Sequence, residues 1–387
     1  MYKIQTLNKI SSKGLDLFDQ GRYEVKDEVE NADAIVLRSY KMHDMSFPSS
    51  LKSIARAGAG VNNIPIDRCT REGIVVFNTP GANANSVKEL VFAGLLLSSR
   101  GIVEGINWVR ANAYKGSELP ALVEKNKSAF GGCEIKGKTL GVVGLGAIGR
   151  LVANEAIALG MDVVGFDPFI SVEGAWGLSR AVQRATSLND LCRQVDYLTI
   201  HVGLSDQTRN MISAEQLSIM KDGVRILNMS RDAIVDESAL LAKLDSGKVA
   251  AYITDFPNEK VVGNPKVIAI PHLGASSEEA EENCAIMAAN QTIDFLENGN
   301  IKNSVNFPTC CLERSGDIRI LIANFNKAGL ISKITGLLAD EQINIANMIN
   351  KNRNEIAYNI IDVNGEIKNE VVDKLKEIEG VFMVRTI

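Results

Sequence analysis

The chain alternates short, continuous apolar runs with stretches whose apolar residues recur at helical spacing. "DAIVLRS" (33–39) and "GIVVFNTP" (73–80) end in polar residues and read as strands buried on both faces of a parallel sheet. "NSVKELVFAGLLLSSR" (85–100) predicts a helix with Asn85 or Ser86 as N-cap and Glu89 in its first turn. After a polar stretch, "KTLGVVGLG" opens a second series of runs: "DVVGFD", "VDYLTIHV", "VRILNMS", "AAYITDF" and "KVIAIP". Helical patterns separate most of them, which predicts a parallel sheet with helices on both faces. "SSEEAEENCAIMAANQTIDFLENG" (276–299) predicts one long helix, and "NSVNFP" after it reads as a return to the first sheet. From residue 316 the pattern becomes β-α-β-β-α-β, the ferredoxin-like order.

Composition adds limits. A length of 387 residues predicts two or three domains, and 45% hydrophobic with 23% charged residues is ordinary for a globular chain. The net charge of −5 gives no basic field for nucleic acid. "MYKIQTLNKI" lacks the apolar core of a signal peptide, and no run approaches the roughly 18 apolar residues of a membrane span. The six cysteines (69, 133, 192, 284, 310, 311) form no C-x-x-C pair, so free thiols in a reducing cytosol are expected. With only three histidines, no metal site is expected.

The glycines of "VVGLGAIGR" (142–150) turn the chain or hold a pyrophosphate. A G-x-G-x-x-G string gains meaning from a preceding strand, a following helix, a second strand and an acid about 20 residues on. "KTLGVV", "RLVANEAIALG", "MDVVGFD" and Asp167 supply all four. Gly144 then permits the turn, Gly146 admits phosphate to the backbone amides, and Gly149 lets helix pack on strand. Asp167 accepts from ribose hydroxyls and repels a 2′-phosphate, which selects NAD over NADP.

Dehydrogenation with a nicotinamide also needs a proton acceptor and a cation for the substrate carboxylate. "NMSRDAIVD" puts Arg231, and "PHLG" puts His272, just beyond apolar strands, with Glu259 of "TDFPNE" between them. In this order the segments resemble the D-isomer-specific 2-hydroxyacid dehydrogenase family, over nearly the whole chain. The resemblance implies that Arg231 clamps the carboxylate and C2 oxygen. It makes His272 the general base, with Glu259 holding that ring and raising its pKa. It also implies a cofactor site of Gly144, Gly146, Ala147, Ile148, Gly149, Asp167, His201, Met229, Ser230, Arg231, Asp255, His272 and Gly274. Asp232 stands where the family usually has glycine, and a one-residue offset leaves Thr254 and Asp255 as alternatives for the nicotinamide amide.

"RAGAGVNN", "NTPGANANSVKELV" and "HVGLSDQTRNMI" are similar to the branch of the family that acts on 3-phosphoglycerate. That implies substrate contacts from Arg38, Ser39, Gly58, Ala59, Gly60, Val61, Asn83 and Lys127, besides Arg231 and His272. The tail resembles an ACT regulatory domain, with Asn326 and Asn344 at positions that bind L-serine in relatives, across a two-fold interface. The expected architecture is α/β, with two Rossmann-like parallel-sheet domains and a ferredoxin-like ACT domain. The substrate domain takes residues 1–97 and 283–305, the NAD domain 98–282, a linker 306–315 and the ACT domain 316–387. A cytoplasmic homodimer or homotetramer is implied. The alternatives are another D-2-hydroxyacid dehydrogenase (a glyoxylate/hydroxypyruvate or 2-hydroxyglutarate enzyme) and an NAD-sensing corepressor on the same fold.

Overall fold

The apolar runs become the strands of three sheets in the computed structural model, which describes residues 1–387. Contacts divide the chain into two units, Met1–Asn83 with Glu278–Ile387, and Ala84–Ser277.

The first unit holds β1 (Tyr2–Leu7), β2 (Tyr23–Lys26), β3 (Ala34–Leu37), β4 (Ser53–Arg56) and β5 (Val75–Phe77) in a parallel sheet of order β2-β1-β3-β4-β5. β3 and β5 are buried at every position, as expected for strands covered on both faces. The Glu278–Asn298 helix covers one face with Cys284, Ala288, Ala289, Phe295 and Leu296. After it the chain returns to β5, where Asn306 Oδ1 accepts from the Val76 amide at 2.9 Å.

The second unit holds β6 (Thr139–Val143), β7 (Asp162–Phe166), β8 (Gln183–Arg184), β9 (Tyr197–Ile200), β10 (Val224–Asn228), β11 (Val249–Thr254) and β12 (Val267–Ala269). All pair in parallel, in the order β12-β11-β10-β9-β6-β7-β8. From β6 the chain moves outward one way through β7 and β8, and then the other way from β9 to β12. Such a reversal opens a crevice at the carboxyl ends of the strands beside it.

The C-terminal segment forms an antiparallel sheet of order β14-β15-β13-β16, from β13 (Ile318–Phe325), β14 (Ile345–Arg353), β15 (Ile356–Val363) and β16 (Val381–Thr386). Its faces alternate as strand geometry requires. Ile320, Ile322 and Ile361 face the Leu330–Asp340 and Asn369–Glu377 helices. Leu321, Ala323, Tyr358 and Ile360 join the core of Phe77, Phe295 and Phe307.

Two boundaries differ from expectation. The Ala84–Ser99 helix begins at Ala84, so Asn85 and Ser86 lie inside its first turn, and it belongs to the second unit. Val87, Val91 and Leu95 pack there with Leu140, Val142 and Ile253, and a Cβ on Gly94 would lie 3.0 Å from Leu227. Residues 306–315 are no free linker: Phe307 and Cys310 are buried, and Cys310 exchanges two backbone hydrogen bonds with Ile301.

The C-terminal sheet is further bound to the carbonyls at the end of the Glu278–Asn298 helix, where intrahelical donors run out. Arg385 Nη2 donates to the carbonyls of Phe295 and Leu296, Tyr358 Oη to that of Gly299, and Arg319 Nη1 to that of Asn298. Arg319 and Asp362 are fully buried and form a two-bond ion pair at 2.6 and 2.8 Å. Burial alone would raise the Asp362 pKa, but the Arg319 bonds and the Ser315 amide hold it below the usual carboxylate range.

No helix is long and apolar enough to cross a membrane. The six cysteines are free, and no group of three or more His, Cys, Asp or Glu side chains is placed to hold a metal ion.

Removing one partner of a buried pair strands the other charge. Arg319→Met should therefore cost about 3–5 kcal/mol in denaturant unfolding, with Arg319→Met/Asp362→Leu recovering much of the loss. A double variant as unstable as the single one would contradict this reading.

Candidate active site

The glycine loop follows β6 and shows which of its glycines the fold itself requires. Gly144 has φ +86°, and a Cβ there would come within 2.6 Å of the His201 carbonyl oxygen. A Cβ on Gly149 would lie 1.9 Å from the Gly144 oxygen, so strand and helix can approach this closely only through glycine. A Cβ on Gly146 would meet nothing within 4 Å. Protein packing therefore does not explain Gly146, whereas a ligand lying on the backbone does. Gly146, Ala147 and half-buried Ile148 begin the Ala147–Ala158 helix, which no side chain caps, leaving its first amides for an anion.

Asp167 lies just past β7, where its carboxylate accepts from the Leu145 amide at 2.8 Å and the Phe169 amide at 2.9 Å. Each oxygen keeps a lone pair for a hydroxyl. These features fit the ribose and pyrophosphate of a dinucleotide.

His201 follows β9. Its Nε2 meets Thr199 Oγ1 at 2.9 Å, and its Nδ1 is sealed from solvent without a partner. Burial lowers its pKa to about 3, so the ring is neutral and shapes the loop wall rather than offsetting phosphate charge.

Beyond β10, buried Asn228 organises the next turn. It donates to the Arg231 carbonyl at 2.8 Å and accepts from the Ser230 amide at 3.1 Å, while Ser230 Oγ donates to the Ile200 carbonyl at 2.8 Å. Met229 and Ser230 are thereby buried, and Arg231 is left exposed. Asp232 needs no glycine conformation: it enters a 3₁₀ turn and caps the Ala233 amide at 2.8 Å.

The Arg231 guanidinium lies 5.0 Å from the centroid of Phe256, and the Phe256 ring lies 4.5 Å from that of His272. Phe256 is thus a spacer between cation and imidazole. Its signal in the sequence is the phenylalanine of "TDFPNE". His272 is exposed and has φ +23°, a left-handed conformation that a non-glycine residue adopts at a cost. Its amide is pinned to the Asp255 carbonyl at 3.0 Å.

Glu259 is exposed in the loop after β11 and makes no bond to His272. Asp255, only 1% exposed, lies where the His272 and Arg231 charges act on its carboxyl group. One Asp255 oxygen accepts from the Gly274 amide at 3.1 Å and the other is buried without a partner. Burial raises its pKa, against the Gly274 amide and the His272 and Arg231 charges. Thr254 instead turns its hydroxyl to the Phe256 amide at 3.0 Å. Of the two alternatives at this position, Asp255 keeps the unused acceptor.

The remaining candidates are more dispersed. In the first unit, Arg38 follows β3 and is held by Glu281 at 2.6 Å, and the Ser39 amide donates to Asn8 at 3.0 Å. Gly58 to Val61 form the loop after β4, fixed by Asn78 Nδ2 on the Ala59 carbonyl at 2.6 Å and by Arg56 on the Gly60 carbonyl. Asn83 is half-buried at the end of its segment. In the second unit, Lys127 is exposed and paired with Glu124 at 2.5 Å. Asn326 lies just past β13 and Asn344 just before β14, two strands that run the same way beside β15. They therefore lie roughly 24 Å apart, and a single chain does not bring them together.

Residues 92–274 match the family model for the NAD binding domain of D-isomer specific 2-hydroxyacid dehydrogenases. The chain is 30% identical to a D-3-phosphoglycerate dehydrogenase of Escherichia coli over 378 residues, covering 94% of this chain and 88% of that one. It belongs to the D-isomer-specific 2-hydroxyacid dehydrogenase family. A D-3-phosphoglycerate dehydrogenase of Methanocaldococcus jannaschii is 34% identical over 91% of this chain, which spans 64% of that relative's length. For the Bacillus subtilis enzyme of the same name the chain spans 62%, at 32% identity over 82% of this chain. Among solved structures, NAD⁺-bound 3-phosphoglycerate dehydrogenase of Entamoeba histolytica superimposes with a TM-score of 0.62 at 27% identity, covering 79% of this chain and 98% of that one.

Two glycine substitutions separate fold from ligand. Gly149→Ala should lower the melting temperature by several degrees, whereas Gly146→Ala should leave it unchanged and weaken NAD⁺ binding in calorimetric titration. Equal effects on melting would contradict the assignment.

Proposed function

We propose that this chain is an NAD-dependent dehydrogenase that oxidises the C2 hydroxyl of D-3-phosphoglycerate to 3-phosphohydroxypyruvate, the first step of serine biosynthesis. The observation that carries it is the Arg231–Phe256–His272 stack, at the same carboxyl-end edge of the sheet as the glycine loop. Gly144 to Gly149 and the uncapped helix would hold the pyrophosphate, Asp167 the adenosine ribose, and Asp255 the nicotinamide amide. NAD⁺, when bound, supplies the acceptor for the hydride that leaves C2.

The protein groups do the rest. Arg231 pairs with the substrate carboxylate and stabilises the developing carbonyl dipole. His272 takes the hydroxyl proton, and Glu259 keeps the role of orienting that ring which the family resemblance implies. Arg38, Ser39, Gly58 to Val61, Asn83 and Lys127 keep the substrate-binding roles that the family resemblance implies. Because Arg38 and Lys127 are already paired with Glu281 and Glu124, a second reading is an unphosphorylated 2-hydroxy acid such as D-glycerate.

The C-terminal sheet is read as an ACT domain. Since Asn326 and Asn344 sit at opposite ends of the sheet, a serine site that uses both needs two chains, in a cytosolic homodimer or homotetramer.

NADH absorbance should grow on addition of D-3-phosphoglycerate and NAD⁺, with a much smaller rate on D-glycerate. His272→Ala should lower kcat by about 100- to 10,000-fold. Equal rates on both substrates would remove the phosphate from the assignment, and near-normal turnover by His272→Ala would remove the base.

A further inference from the structure

A cavity of about 470 Å³ in the first unit lies between β16 and the N-terminal ends of β4 and β5. β16 is the outer strand of its sheet, and Met383 on it packs within 3.3 Å of where a Cβ on Gly73 would stand. The size falls within the range of small-molecule sites, which combine apolar walls with a few placed polar groups. Leu51, Leu321, Phe382 and Val384 supply apolar wall, and three cations line the rest: Lys52, Lys376 and Arg385.

Two of those cations are already matched. Lys52 is bonded to Asp33, and Lys376 to Asp373 at 2.9 Å. Glu72, the acid on the wall, is taken by Arg68 at 2.8 Å. Arg385 has no carboxylate partner. Its Nη2 is used on the Phe295 and Leu296 carbonyls, and its guanidinium carbon lies 4.9 Å from the Phe295 ring centroid. Nε and Nη1, which carry three N–H donors, are buried and unpaired. Asp33 acts on it electrostatically, but its oxygens serve Lys52 and the Lys3 amide. An unbalanced buried guanidinium with idle donors needs an explanation, and a bound anion provides one.

We propose that this cavity binds a small organic monocarboxylate with a short apolar tail, its carboxylate on Arg385 and its tail against Leu321 and Phe382. One uncompensated positive charge matches a monoanion, and the apolar wall disfavours a hydrated dianion such as phosphate. The site is separate from the glycine-loop residues and does not depend on the function proposed above.

The test titrates the full-length chain with 3-methylbutanoate and, in parallel, inorganic phosphate. Wild type should take up 3-methylbutanoate at low millimolar concentration and show no matching response to phosphate. Arg385→Gln should weaken that binding roughly tenfold or more, the scale of one charge-assisted contact. Ser49→Trp, placed on the cavity wall away from the helix end that Arg385 caps, should block binding without touching the guanidinium. No response to 3-methylbutanoate at tens of millimolar would overturn the proposal. So would equal binding of phosphate, or undiminished binding in folded Arg385→Gln. Should Arg385→Gln fail to fold, Ser49→Trp decides, and wild-type affinity in that variant would overturn the proposal.

Discussion

The reversal of strand order at β6 is the constraint on which the candidate site depends. Parallel strands deliver their carboxyl ends to one edge, and the change of direction between β6 and β9 keeps that edge open. The glycine loop leaves β6, Asp167 follows β7, His201 follows β9, Arg231 follows β10 and Asp255 follows β11. Five positions spread over about 110 residues of chain thus share one edge through topology alone. The reversal is kept tight by glycine, because the Gly144 carbonyl occupies the space a side chain at residue 149 would need.

Within that edge, electrostatics assign different tasks. His201 is held neutral by burial, so it cannot serve as a charge partner. Asp255 is buried beside two groups that carry or acquire positive charge, and one of its oxygens has nothing else to bind. Glu259, four residues further on, is solvated. Burial disfavours the charged form of Asp255, and the His272 and Arg231 charges work against that rise.

Local information was legible and long-range information was not. The glycine loop, its flanking strand and helix, and the acid closing the next strand lie within one βαβ unit, so spacing alone exposed them. The parallel sheets and the βαββαβ tail followed from hydrophobic period. Which sheet the Ala84–Ser99 helix joins could not be read from period, since an apolar helix face is complementary to either sheet; the close approach at Gly94 decides it. The docking of the C-terminal sheet rests on Arg319 meeting the Asn298 carbonyl 21 positions away and Arg385 meeting that of Phe295 90 positions away. The role of Phe256, and the choice between Thr254 and Asp255, were hidden for another reason. Their motif is offset by one residue from the family pattern, and in a turn leaving a strand one residue decides which side chain faces inward.

The central claim, that this sheet edge moves a hydride from the substrate's C2 to a bound nicotinamide, is tested most directly by following the atom. D-3-phosphoglycerate deuterated at C2 is incubated with NAD⁺ and the protein, and the nicotinamide product is read by NMR or mass spectrometry. Deuterium is expected at C4 of the reduced nicotinamide ring, one per carbonyl product formed. Product lacking the label, or label lost to solvent, would contradict it.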